Sequence, residues 1–459
     1  MSDTLARSAV GRREMPSGDP VDISRLIDAS PIGAFQLTVV GLAAAVVLLD
    51  GFDVQTITYA SPALTQELGI ARPMLGPVFS AGLVGTTLGA FAFGLLADRF
   101  GRKPMFIGCT LLFGLCSLAT ATAGSVSELI AWRFVAGLGL GGATPIAVAL
   151  ASEFCSEARR ETLVMLMYCG FSVGAAGGGF FGAWLIPAFG WRSVFLAGGA
   201  LPLLLTPLLV WWLPESIRFL VARGQRPHEV ARTVRRLDPS AQVGTATCFQ
   251  ISEESPKGFP VGRLFADGRA ATTLLLWLMF FSNLIALYFL INWFPTLGHA
   301  AGLTLREALL ASALIQVGSI AGTFLLAVFV RRRRAFSLVA GGFLLGAVAI
   351  ATLAAIASSP TGLMIGGFIT GFFVIGTQTG ANAMSAMLYP TTIRSTGIGW
   401  ALGVGRSGSI LGPLVGGALL SLHWSTAGLF LIAAVPAAVA AAAAFGISRQ
   451  VGQVVAEVA

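Results

Sequence analysis

The chain has 459 residues, of which 55% are hydrophobic and only 11% charged, with a net charge of +8. Soluble globular proteins carry roughly a quarter charged residues. The composition therefore excludes an ordinary soluble enzyme, a disordered chain and a disulfide-stapled secreted domain, and leaves an integral membrane protein with surplus base.

Residues 1–33 are polar, carry Arg7, Arg12, Arg13 and Arg25, and lack an apolar signal core. They read as a cytoplasmic N-terminal segment without a cleaved signal peptide. Apolar stretches of about 20 residues, enough to cross a bilayer, then repeat along the chain. Six lie near 34–60, 74–97, 105–124, 128–152, 162–186 and 193–213, an N-terminal bundle over 34–213. The interval 214–270 reads as a central cytoplasmic loop, with its basic run at 226–240 either solvated or a short amphipathic helix. Six more stretches, near 271–296, 307–330, 336–357, 361–388, 395–421 and 426–447, make a C-terminal bundle over 271–447, and 448–459 is a tail. The expected fold class is all-α integral membrane: twelve transmembrane helices in two six-helix bundles, both termini cytoplasmic.

The basic residues orient the chain. Of 29 Lys and Arg, 24 fall in the termini, the loops after spans 2, 4, 8 and 10, and the central loop, including Lys257 and the run Arg331 to Arg334. The opposite side has only Arg72, Arg192 and Arg306. Cytoplasmic loops carry the excess of positive charge. Scattered over short loops, these residues form no basic face interleaved with aromatics, so no nucleic-acid partner is expected. The five cysteines show no metal-ligand spacing, the three histidines are isolated, and no phosphate-binding GxxxxGK[ST] occurs. No catalytic constellation, metal or cofactor is expected.

A shift of 234 residues superposes the halves: Gly137 falls on Gly371, Gly142 on Gly376, Arg160 on Arg394, and Gly174, Gly178 and Gly182 on Gly408, Gly412 and Gly416. A shift of 233 brings Gly85 and Gly89 onto Gly318 and Gly322. Each half has an even number of spans, so the repeat is parallel, with halves able to rock about a central site. Glycines four apart let helices approach closely.

After span 2 the chain reads Gly94-Leu-Leu-Ala-Asp98-Arg99-Phe-Gly101-Arg102-Lys103. This resembles the loop signature of the major facilitator superfamily, and the resemblance implies a conformational latch rather than a substrate site. Physically, Asp98 suits a helix end where it accepts bonds from neighbouring N-termini or arginines, and Gly101 permits a tight turn. Span 4 runs from Arg133 to Glu153, and span 6 ends Pro214-Glu215-Ser216-Ile217-Arg218-Phe-Leu220, similar to an element of sugar-porter-like members. Glu153, Glu215 and Arg218 join the latch by that resemblance. The matching second-half loop, Arg331 to Arg334, departs from the signature and reads as well as an anchor. Span 1 carries Asp50-Gly51-Phe52-Asp53, which most resembles the aromatic acid/proton symporter family of bacteria. The resemblance implies a monomeric inner-membrane carrier whose partners are an aromatic carboxylate, a proton and the lipid bilayer.

Four ionisable residues stand clearly inside spans: Asp50, Asp53, Arg133 and Arg406. Such residues are costly in a bilayer and mark function by default. Asp50 and Asp53 are three apart and share a helix face. With span 1 ending near 60 and span 4 starting near 128, Asp53 and Arg133 both sit roughly 8–11 Å below the outer boundary, close enough to pair. In sugar-porter-like relatives a first-helix acid and a fourth-helix arginine couple proton to substrate. Asp53 is thus expected as the main proton carrier, with Asp50 tuning it or sharing the proton, and a permanent structural salt bridge as the alternative. Arg406, near the midplane with no acid at comparable depth in spans 7–12, invites an anionic ligand. Tyr288, Asn292, Gln316 and Gln378 are the candidate further contacts. Left open are a sugar-porter-like carrier of a neutral polyol and a membrane sensor without turnover.

Overall fold

The computed structural model describes residues 21–30, 33–224, 226–237, 249–250, 261–266, 268–329, 335–390 and 393–458. Arg7, Arg12, Arg13, Lys257 and Arg331 to Arg334 lie outside the described residues. Spans 1 to 6 are the helices α2 (Ala34–Glu67), α3 (Leu75–Phe100), α4 (Arg102–Ala121), α5 (Val126–Phe154), α6 (Glu157–Phe189) and α7 (Arg192–Trp212), preceded by a short α1 (Ile23–Ala29). The loop after them holds α8 (Ile217–Ala222) and α9 (Pro227–Leu237). Spans 7 to 9 are α10 (Ala270–Ala300), α11 (Leu305–Phe329) and α12 (Ala335–Ile356). Span 10 is divided into α13 (Pro360–Thr370), a π turn (Gly371–Ile375) and α14 (Gly376–Leu388), and spans 11 and 12 are α15 (Arg394–Ser421) and α16 (Thr426–Val458).

Among the described residues, 11 helices are long and apolar enough to cross a membrane. Of the expected spans, α15 is the one missing from that set. It has 28 residues, but Arg394, Arg406, eight glycines and four serines lower its mean hydropathy. It nevertheless packs along α10 and α3 as a full-length helix.

Span 1 differs from its expected extent. Helix α2 passes through Pro62 and continues to Glu67. Proline removes the N–H that would bond the carbonyl of Thr58, and the Ser61 hydroxyl takes that carbonyl instead, donating at 2.7 Å. A neighbouring hydroxyl that satisfies the freed backbone is what lets proline sit inside a membrane helix.

The glycine repeat is the repeat of one helix crossing. Gly85 and Gly89 of α3 press on the carbonyls of Phe134 and Leu138 in α5, and Gly318 and Gly322 of α11 press on those of Phe368 and Phe372. The partners, like the glycines, are displaced by 233 or 234 residues. A Cβ at any of these four would overlap backbone, so only glycine permits the approach. The same pairing recurs elsewhere: α2 packs on α6 as α10 does on α15, and α4 on α7 as α12 does on α16.

Three hydrophobic clusters report how the halves meet. One, at the end away from the basic loops, combines Ile57, Leu64 and Phe79 with Trp293, Phe294 and Leu309, so it belongs to both halves. The other two, at the basic end, are separate: one is built around Phe106, Leu150 and Phe154, the other around Phe280, Phe343 and Met384. The halves therefore converge at one end and part toward the basic end. There, Val21–Asp22 pairs in parallel with Phe249–Gln250, and Ile23 and Ile27 of α1 join the same cluster as Val230, Val234 and Leu237 of α9.

Candidate functional site

Helix α2 presents both aspartates to other helices. Asp53 is fully buried (0% exposed) and Arg133 nearly so (3%). Arg133 Nη1 donates to Asp53 Oδ2 at 3.0 Å, and Nη2 donates to the Asp53 carbonyl at 3.3 Å. The two meet although Asp53 lies roughly four turns from the end of α2 and Arg133 two from the start of α5, because α2 continues beyond its expected extent to Glu67. Tight α3–α5 packing leaves Gly82 beside the Arg133 side chain. Asp53 Oδ1 and Arg133 Nε are buried without hydrogen-bond partners. The pair is half satisfied, and low dielectric makes such orphaned atoms costly.

Asp50, one turn toward the basic end, is 4% exposed and accepts a hydrogen bond from Thr144 Oγ1 at 2.5 Å. It also stands in the electrostatic field of Asp53 and, more weakly, of Arg406 in the other half. Arg406 acts in the same way on Tyr168 of α6 and Tyr288 of α10. Among the described residues its guanidinium makes no ion pair or side-chain hydrogen bond. Gly405 next to it packs on Phe280 and Leu284, which fixes Arg406 at the level of Asn283. At that level Asn283 Nδ2 donates to Gln378 Oε1 at 2.5 Å, and Gln378 Nε2 donates to Asn382 Oδ1 at 3.1 Å. Asn283 Oδ1 remains a buried orphan.

Two candidate contacts sit elsewhere. Gln316 is 3% exposed inside α11. Asn292 lies in the seam that closes the far end: Thr58 Oγ1 donates to Asn292 Oδ1 at 3.2 Å, Ser61 and Thr296 hydroxyls meet at 2.8 Å, and Gln66 meets His299 at 2.8 Å. In this conformation Asn292 closes a door rather than lining the gap. These three pairs are 234, 235 and 233 residues apart, the repeat offset itself. Residues beside a pseudo-two-fold axis meet their own equivalents, a signal that was available in the sequence once the repeat was found. Thr144 and Tyr168 had no such signal, being ordinary polar residues in apolar helices.

The signature loop is resolved in detail. Gly101 ends α3 and begins α4 with φ +106°, a backbone region that favours glycine. Glu215 Oε1 accepts from the backbone N–H of Arg102 at 2.9 Å and of Lys103 at 3.0 Å, capping α4. Arg102 also pairs with buried Glu153, which accepts from Ser216 Oγ at 2.5 Å. The helix N-terminus expected to bind Asp98 is thus held by Glu215. Asp98, in the exposed last turn of α3, has its carbonyl contacted by Arg223 at 3.5 Å. Arg99 is exposed and lies 5.4 Å over the Phe100 ring, while Arg218 sits in the field of Arg102. Gly94 has open space where a Cβ would point, unlike Gly101, whose Cβ would overlap the Glu215 carboxylate. Gly101→Ala is expected to lower thermal stability by about 1–3 kcal/mol, and Gly94→Ala to leave it within about 0.5 kcal/mol. Melting of the two variants in detergent checks the contrast.

Among the described residues no group of His, Cys, Asp and Glu could hold a metal ion. What these groups can do chemically is bind an anion at Arg406, exchange a proton at a carboxylate and hydrogen-bond a polar ligand group.

The sequence profile of the Major Facilitator Superfamily matches residues 43–358 and 276–454. The chain is 39% identical over 429 residues to a gallate transporter of Pseudomonas putida, covering 93% of this chain and 95% of that one. It is also 39% identical over 433 residues to a 4-hydroxybenzoate transporter of Pseudomonas aeruginosa, covering 94% and 96%. Among solved structures, the Escherichia coli xylose transporter in a partially occluded inward open conformation matches with a TM-score of 0.67 at 18% identity, covering 89% of this chain and 97% of that one. That likeness concerns the fold. Together with the doubled helix crossings and the signature loop, these matches establish that the chain belongs to the Major Facilitator Superfamily, among the relatives of its aromatic-acid transporters.

Proposed function

We propose that the protein is a proton-coupled symporter that carries a small hydroxylated aromatic carboxylate into a bacterial cell across the inner membrane. The observation that carries this reading is Arg406, a part-buried guanidinium that makes no ion pair or side-chain hydrogen bond among the described residues, and whose charge acts on Asp50 and Tyr168 in the other half and on Tyr288 in its own. A planar fork of donors suits a carboxylate bidentately, tyrosine rings suit an aromatic body, and the Asn283–Gln378–Asn382 chain suits a ring hydroxyl. A neutral sugar would leave the charge of Arg406 unmatched. The named substrates of the relatives, gallate and 4-hydroxybenzoate, have this combination of groups. The excess of base on one side puts the open end in the cytoplasm, and separation at the far seam would open the other side.

Coupling follows from like-charge repulsion. An ionised Asp50 would oppose a substrate carboxylate at Arg406, so substrate and proton enter together. Asp50 is therefore the coupling acid, a shift from the sequence-based expectation of Asp53. Asp53 is held by Arg133 through its carbonyl as well as its carboxylate, so protonation alone would not part α2 from α5.

Reconstituted protein is expected to accumulate labelled 4-hydroxybenzoate when the outside is acid. Asp50→Asn should retain substrate exchange while losing accumulation driven by the pH gradient. Accumulation that survives in this variant would remove Asp50 from the coupling role, and absence of any aromatic-acid uptake by the unsubstituted protein would sink the transport reading.

A further inference from the structure

Helix α9 has a face that transport does not use. Val230, Ala231, Thr233, Val234 and Leu237 are buried, while Arg226, His228, Arg232, Arg235 and Arg236 are all exposed. Its acid, Glu229, is engaged by Arg226 at 3.4 Å. Among the described residues, Arg232, Arg235 and Arg236 have no carboxylate partner. The Arg236 guanidinium lies 5.9 Å over the ring of Phe35, one residue into α2. That contact places the arginine row where the first span enters the membrane. His228, Ala231, Arg232, Arg235 and Arg236 line an open cleft of about 390 Å³.

We propose that this cleft is a docking site for the phosphate headgroup of an anionic phospholipid in the leaflet at the basic end. Charge complementarity and position select the occupant. Basic clusters immediately beside a membrane span attract anionic lipid, and an arginine fork meets phosphate oxygens in pairs. A bound headgroup would tie α9 to the membrane. Because α9 shares a core with α1 and α8, it would also brace the capped end of α4.

The test uses the full chain in neutral detergent, with phosphatidylglycerol, phosphatidylcholine or inorganic phosphate added. Phosphatidylglycerol is expected to raise the melting temperature and to remain bound through purification; phosphatidylcholine and phosphate are not. Arg232→Gln/Arg235→Gln/Arg236→Gln should weaken the phosphatidylglycerol effect at least about tenfold in half-saturating concentration, with Arg232→Gln alone showing a smaller loss in the same direction. Arg72→Gln/Arg306→Gln, which removes charge on the other side, should keep the full effect. Equal loss in both multiple variants, or no loss in either, overturns the site. A matching rise with inorganic phosphate overturns the lipid as its occupant.

Discussion

Arg406→Ala is expected to reduce binding of an aromatic carboxylate by about 100-fold or more, and uptake with it. Truncating one partner of a hydrogen-bonded charge pair in a desolvated site costs about 2–5 kcal/mol, and every 1.4 kcal/mol is about tenfold in affinity. Arg406→Lys keeps the charge but replaces a planar fork by a point charge, so an intermediate loss of about tenfold is expected. The fold should survive both changes, because Arg406 makes no ion pair among the described residues and Gly405 and Gly408 carry the packing of α15 on α10. Equilibrium binding of labelled 4-hydroxybenzoate, beside a melting curve for each variant, is the measurement. Unchanged binding in a folded Arg406→Ala protein would place the substrate elsewhere.

Arg133→Leu is expected to have the largest effect on stability. It leaves the Asp53 carboxylate fully buried with no cation, and breaking a buried pair by removing one partner costs about 3–5 kcal/mol. Asp53→Leu in the same chain removes the stranded charge. Replacing both members of a buried pair by apolar groups is often neutral, so the double variant should recover most of the lost stability without recovering transport. If Arg133→Leu melts like the unsubstituted protein, the Asp53–Arg133 pair does not hold α2 to α5.

Asp53 and Asp50 show how far a sequence reaches. Their spacing alone placed them on one face of span 1, and the cost of a charge in hydrocarbon marked them. Which arginine each would meet depended on the helices around them. Arg133 is carried to Asp53 by the glycine crossing of α3 on α5, and Asp50 meets Thr144 of α5 while the charge of Arg406 acts on it from the other half. The latch was legible as a motif, yet the acid that caps α4 is Glu215, because capping is decided by which side chain arrives at the free N–H groups. Asn292 looked like a ligand contact from its place on span 7. The seam shows that its depth is that of the closed door, since α2 outlasts its apolar run by passing Pro62.

The sequence by itself determined that this is a membrane protein, which loops share a side, that the chain is doubled, and which four charges stand inside the apolar spans. Those properties are read from composition and from period, and neither needs coordinates. The tertiary structure alone decided that the halves share one apolar core at the end away from the basic loops and keep separate cores at the basic end, and that Thr144 donates to Asp50. Such contacts join residues far apart in the chain. They depend on helix phase, tilt and crossing, which hydrophobic patterning leaves open because lipid and protein interior are equally apolar neighbours.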